Sequence, residues 1–451
     1  MGSRKPIRYL ATILGVAAMA SLAAIPLAGV TAGTVAVAST ARMTPADLNG
    51  KPLYRHTSSP KQGVFSCQAP ASATNPVPCY GPAQIRRAYN IPSNLSGAGQ
   101  TIAIIDAFGN PDIASDLATF DSTFGLPAAH LNIICIGGTC PTFDPTNADQ
   151  VSWAGEIALD TQWSHAIAPG ATIDLVISKS DADADILAAQ QYVVNHNLGS
   201  VLSQSFGEGE ICMDPSIFAA QHQAFVQAAA EHITVFASAG DSGSAQPDCN
   251  GDGGFFKSVS TPASDPLVTG VGGTHLNANF TTGAYQSETV WNNSGQNPDF
   301  GAGGGGFSTK YPRPFYQTFA NRNAARGVPD VTYNGDVYGG VLAVCSECGA
   351  GPDAFFIFGG TSAGSPQWSA ITALADQSAG HRLGFLNQLL YAIGATAGAY
   401  SFAFHDITVG NNAWDVTGVP GYSATSGWDP ASGLGSPNAG NLIFLLSHGS
   451  V

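Results

Sequence analysis

From Thr101 onward, short unbroken apolar runs alternate with segments of helical character. The runs are TIAIID (101–106), TIDLVI (172–177), GSVLSQS (199–205), ITVFASAG (233–240), PLVTGVGG (266–273) and FFIF (355–358). Continuous apolarity, rather than an alternation of apolar and polar positions, suits parallel strands buried on both faces. Between them the pattern predicts helices over 113–124, 152–165, 182–196, 216–231, 362–378 and 382–393. Strand–helix alternation of this kind predicts one large α/β domain over residues 80–449. Its sheet is doubly wound and mostly parallel, with helices on both faces. No internal repeat is visible. Before the domain, residues 39–79 are polar and proline-rich (NGKPLYRHTSSPKQ, then QAPASATNPVP) and read as a linker or short pro-arm.

Residues 1–38 follow a different pattern. Arg4, Lys5 and Arg8 precede an apolar run from Tyr9, which ends in Ala36-Val37-Ala38. A basic start, an apolar stretch and a small-x-small site predict a secretory signal peptide, cleaved after Ala38. An uncleaved membrane anchor is the competing reading; Pro26 and the many Gly, Ala and Thr oppose a spanning helix. Export makes the eight cysteines legible as disulfides. They pair most simply as sequence neighbours: Cys67 with Cys79, Cys135 with Cys140, Cys212 with Cys249, and Cys345 with Cys348. A zinc or redox role for Cys345 and Cys348 is the rival, with no second cysteine pair or histidines nearby to complete it.

Composition narrows the partners. Sixteen basic against 31 acidic residues give a net charge of −15, which repels nucleic-acid backbones and anionic membranes. A 44% hydrophobic content supports a sizeable core. The expected product is therefore a secreted, extracellular monomer, with neither nucleic acid nor membrane as a partner once the signal is removed.

Several segments compete for the chemistry. Gly301-x-Gly303-x-x-Gly306 satisfies a dinucleotide fingerprint as a string, yet NNSGQNPDF before it is a loop, and Pro312 and Pro314 follow. The strand and helix that a phosphate cradle needs are missing. Gly240-Asp241-Ser242-Gly243 with Ala129-His130 resembles the motifs of chymotrypsin-like proteases, whose paired β-barrels a strand–helix alternation cannot build. Gly360-Thr361-Ser362-Ala363-Gly364-Ser365-Pro366 lies between a strand and a helix, so Ser362 sits in the first turn, where orphan amides and the helix dipole favour negative charge. By itself that serine reads as a helix cap; a nucleophile needs a base. No His-Gly-Thr segment supplies one, and His165 reads as a packing or surface residue. Glu156 and Asp160 do offer one: at i and i+4 their carboxylates share a helix face, and two like charges so close raise one proton affinity. The alternative, a solvated helix face, is weakened by the apolar neighbours Trp153, Ile157 and Leu159.

Together these segments resemble the sedolisins, serine-carboxyl peptidases with a subtilisin-like fold, over residues 80–445. Glu156-x-x-x-Asp160, Gly360-Thr361-Ser362 with Pro366, and Ser238-Ala239-Gly240-Asp241 resemble the family's acid pair, nucleophile and oxyanion segment. Supporting stretches, in the family's order, are Ala168-Pro169-Gly170-Ala171, Ser203-x-Ser205-Phe206-Gly207, Val271-Gly272-Gly273-Thr274, Gly305-Gly306-Phe307-Ser308 and Gly327-Val328-Pro329-Asp330. The resemblance implies an acid-active endopeptidase acting on polypeptides. Ser362 would be its nucleophile, Glu156 the base, Asp160 its orienting partner and Asp241 the oxyanion donor. Asp106, ending TIAIID, is either an extension of the carboxylate chain or a structural strand end. One structural calcium ion is also implied, held by the side chains of Asp406 and Asp429 and the carbonyls of Ile407, Thr425 and Gly427. Family members usually carry a large folded prosegment; residues 39–79 are too few for an inhibitory domain, so zymogen control of the usual kind is not expected. A catalytically silent binding protein on the same fold is the alternative from another class.

Overall fold

The computed structural model describes residues 44–45, 54–60, 64–295 and 301–448. The signal peptide expected over residues 1–38 lies outside the described residues. Among the described residues, eight strands build the main sheet: β1 (Thr101–Ala107), β2 (His130–Cys135), β3 (Thr172–Ser178), β4 (Val201–Gln204), β5 (Thr234–Ser238), β6 (Thr269–Ala278), β7 (Tyr285–Val290) and β8 (Val331–Asn334). The spatial order is β7-β6-β5-β4-β1-β3-β2, and β8 pairs with β6. Every pairing is parallel except β6 with β7.

The longer helices that flank the sheet include α1 (Ile113–Phe124), α2 (Ala148–Ile167), α3 (Asp183–Asn195), α4 (Pro215–Ala230), α5 (Gly364–Ala379) and α6 (Asn387–Ala395). Side chains along β1 alternate between two cores, which is the physical meaning of its unbroken apolar run. Ile102 and Ile104 join Ile157, Trp163, Trp368 and Leu374 on the α2 and α5 face. Ala103 and Ile105 join Ile186, Val193 and Phe225 on the α3 and α4 face. β2 was not among the predicted strands, because this edge strand leaves much of its length exposed and so lacks a continuous apolar signature.

FFIF departs from expectation. It is a strand, but it lies antiparallel in a separate four-stranded sheet, between Gly340–Val344 and the arm strand Tyr54–Thr57. Unbroken apolarity reports burial on two faces and not the direction of pairing. The second sheet packs on α2, where Gly155 makes room: a Cβ there would meet the Tyr54 ring at 3.1 Å and Cys348 Sγ at 3.3 Å. The described part of the 39–79 stretch is thus built into the domain. Tyr54 meets Phe356 and Phe358 at ring distances of 5.1 and 5.0 Å, and Phe65 meets Phe355 at 4.8 Å. Single aromatic anchors spaced among polar and proline residues carry no periodicity, so composition conceals this packing. All four disulfides join the neighbouring cysteines expected.

Candidate active site

α2 starts at Asn147, whose side chain accepts hydrogen bonds from the amides of Asp149 and Gln150 at 2.9 and 3.3 Å, an ordinary N-cap. From Ser152 to Ile167 every residue is buried, so the helix carries Glu156 and Asp160 out of water. Asp160 and Glu156 are hydrogen-bonded to each other, and the Ser205 hydroxyl, just beyond β4, donates to Asp160 Oδ1 at 2.9 Å. Asp106, near the end of β1, is fully buried beside them. Its carboxyl is held well above the usual range, first by burial and then by the charge of Glu156. Asp160 is raised by burial and by Asp106, against the pull of its bonds from Ser205 and Glu156. Among the described residues, neither Asp106 nor Asp160 forms an ion pair with a lysine, arginine or histidine. Buried so closely together, Asp106 and Asp160 retain protons that exposed carboxyls would lose.

Ser362 lies in the tight turn Thr361–Ala363 that leads into α5, after Gly360 at φ 93° turns the chain away from FFIF. Its hydroxyl donates to the Ser205 carbonyl at 3.3 Å. Ser205 therefore touches both the carboxyl pair and the serine turn. Asp241 follows β5 and Gly240, the latter at φ 100°. Asp241 Oδ1 accepts from the Thr361 amide at 2.7 Å and the Thr361 hydroxyl at 2.8 Å. Asp241 is thus fixed beside the residue preceding Ser362.

The rival motifs find other uses. His130 opens the edge strand β2, while Ser242 follows the far end of β5. Four strand spacings, about 19 Å across the sheet, separate those strands. His165 is buried against the Pro127 carbonyl at 2.8 Å and Asp121 at 3.1 Å. The glycine run supports the Asp241 loop: Gly304 donates its amide to the Gly240 carbonyl at 2.6 Å, and a Cβ on Gly304 would collide with the Ala239 carbonyl. Sequence reasoning assigned no role to Ser205 or Thr361. The one signal for them was their place beside the recognised motifs.

Near the C-terminus, Asp406 and Asp429 converge on one loop. Asp406 accepts from the Gly427 amide at 3.1 Å, and Asp429 from the Thr425 amide at 2.9 Å. Neither forms an ion pair among the described residues. Carboxylates are oxygen donors of the kind calcium takes, and Asp406 and Asp429 are brought together through the 425–429 turn. Among the described residues, no group of three His, Cys, Asp or Glu side chains is arranged to hold a metal ion; a site of two carboxylates and carbonyls needs no such group.

A subtilisin-like α/β fold, in which Ser205 bonds both Asp160 on the acid-bearing helix and the Ser362 turn, points to the class. The chain belongs to the sedolisin family. It is 36% identical over 398 residues to kumamolisin from Bacillus sp. (strain MN-32), an alignment covering 85% of this chain and 66% of that protein. It is 31% identical over 385 residues to sedolisin from Pseudomonas sp. (strain 101), covering 82% and 62%. The chain thus spans slightly under two thirds of the length of these curated relatives. It also superposes on the structure of Pseudomonas sedolisin, a serine-carboxyl proteinase complexed with two molecules of pseudo-iodotyrostatin. The TM-score is 0.71 at 29% identity, over 83% of this chain and 99% of that one. No family model matches the chain.

Proposed function

We propose that this chain is a secreted, acid-active serine-carboxyl endopeptidase. The observation that supports the reading is the buried group of carboxyls Glu156, Asp160 and Asp106, joined through Ser205 to the Ser362 turn. In the mechanism, Ser362 Oγ attacks the scissile carbonyl carbon while its proton passes to Glu156, which Asp160 orients. Asp241, protonated, and the Ser362 amide donate to the tetrahedral oxyanion. Collapse expels the amine, which takes the proton from Glu156. Water then cleaves the acyl-enzyme by the same route.

An extended peptide would bind along a strand edge by taking the place of a segment of the chain that is paired there. Strand Phe206–Gly209 continues directly from Ser205, and the chain's own Thr44–Pro45 pairs antiparallel with it, Thr44 opposite Gly207 and Pro45 opposite Phe206. Main-chain pairing of this type holds a polypeptide by its backbone and leaves its side chains to pockets. For calcium, Asp406, Asp429 and the carbonyls of Ile407, Thr425 and Gly427 would hold the ion. Bound there, it would cross-link the two loops and take no part in the chemistry.

The test is hydrolysis of casein and of blocked internal peptides at acid pH by the parent chain, Ser362→Ala and Ser242→Ala. Loss only in Ser362→Ala is expected. Equal hydrolysis by the parent and Ser362→Ala would remove the assignment, and release of N-terminal tripeptides alone would replace the endopeptidase reading with an exopeptidase one.

A further inference from the structure

Thr361 is fully buried, and Asp241 beside it is only 3% exposed. The Gly240 amide donates to Thr361 Oγ1 at 3.1 Å. An amide N–H can only donate, so Oγ1 is the acceptor there, and the single hydrogen of that hydroxyl is left for another partner. Among the described residues, the acceptor it meets is Asp241 Oδ1, at 2.8 Å. The Thr361 amide donates to the same oxygen at 2.7 Å. Both lone pairs of Oδ1 are thereby taken by donors, and a carboxyl proton placed on that oxygen would have to displace one of them. The backbone holds this arrangement in place: the Ala302 amide donates to the Asp241 carbonyl at 2.9 Å, and the Gly304 amide to the Gly240 carbonyl at 2.6 Å.

We propose that Thr361 is a positioning residue for the oxyanion contact: by filling both acceptor sites of Asp241 Oδ1, it confines the acid proton to Oδ2, which becomes the donor to the tetrahedral oxygen. This rests on the reading of Asp241 as that donor. A carboxyl group able to carry its proton on either oxygen would turn an acceptor towards the developing negative charge for part of the time, and two electron-rich oxygens repel. Thr361 removes that arrangement before the substrate arrives, which is the preorganisation on which such contacts depend. The planar carbonyl of the bound substrate carries less charge than the tetrahedral oxygen, so the benefit falls on kcat more than on KM. An asparagine at position 241 would meet the same pair of donors. Its carbonyl oxygen would accept from Thr361 and its NH2 would face the oxyanion, so Thr361 would set the flip of that amide as it sets the proton of the acid.

The experiment compares the full chain with Thr361→Val, Thr361→Ser, Asp241→Ala and the double variant Thr361→Val with Asp241→Ala, on one blocked peptide at acid pH. Valine keeps the branched shape without the hydroxyl. It should lower kcat roughly 10-fold, the scale of one hydrogen bond, and leave KM within about 2-fold, while serine restores kcat. Binding of a peptide aldehyde should weaken by the same factor of roughly 10. Ser362 Oγ adds to the aldehyde carbon, the π pair moves to the oxygen and the serine proton passes to Glu156, so a tetrahedral oxygen is placed before Asp241. In the Asp241→Ala background, Thr361→Val should cost nothing further, because the group it positions is gone. An undiminished loss in that background would make the role of Thr361 structural and overturn the proposal. Asp241→Ala as active as its parent would instead remove the oxyanion reading. Neutron diffraction of the parent chain with the aldehyde needs no variant to fold: deuterium is expected on Asp241 Oδ2, with that of Thr361 Oγ1 directed at Oδ1. Deuterium on Oδ1 would overturn the proposal.

Discussion

Ser205 donates its hydroxyl to Asp160 Oδ1 at 2.9 Å. Its carbonyl accepts from Ser362 at 3.3 Å, so one residue at the end of a central strand fixes the separation between the acid-bearing helix and the nucleophile turn. Ser205→Ala should leave the fold intact and lower kcat roughly 10-fold, the scale of one hydrogen bond to a charged group, with little change in KM. A kcat equal to that of the parent would deprive Ser205 of this role.

The pH dependence follows from the buried acids. Asp106 and Asp160 bind protons more tightly folded than unfolded, so their contribution to stability is full in acid and is lost as pH rises through their elevated values. Turnover, which needs a carboxyl base and a protonated carboxyl donor, should peak below about pH 5. Peptide hydrolysis and melting curves between pH 3 and pH 8 check both. A neutral optimum would exclude Glu156 as the base.

Division of labour among the carboxyls is open to substitution. Glu156→Gln keeps the shape without the base and should cost about as much as Ser362→Ala. Asp241→Asn retains a donor and should exceed Asp241→Ala, which should lose roughly 100- to 1000-fold in kcat. Equal activity of the two Asp241 variants on one peptide would withdraw its oxyanion role.

Gly304→Ala tests the support behind Asp241. The added methyl would collide with the Ala239 carbonyl and displace the loop, costing about 1–3 kcal/mol of stability and lowering kcat as well. Denaturant unfolding, alongside turnover on the same preparation, measures both; a variant as stable and active as its parent would show that the loop yields without consequence.

For the calcium loops, chelation at mildly acidic pH should lower the melting temperature, and added calcium should restore it by mass action. Asp429→Asn should abolish that calcium response. An unaltered melting curve with no calcium in the purified protein would remove the proposed site.

The sequence by itself determined the strand–helix alternation and the disulfide pairs, and it singled out Glu156, Asp160, Asp241 and Ser362 as candidates. Each is a local signal: apolar runs report burial, neighbouring cysteines have few closer partners, and i, i+4 carboxylates share a face. Only the tertiary structure decided what depends on distant segments meeting. FFIF changed sheets because apolarity is silent on pairing direction, and the 39–79 stretch joined the domain through isolated aromatic anchors. His130 and Ser242 were separated by the strand order, which no local pattern contains. Ser205 and Thr361 acquired their contacts from the crossing of β4, α2 and the α5 turn. The burial that raises the acids is likewise collective: a carboxyl's neighbours along the chain do not state how much water the packed cores will leave beside it.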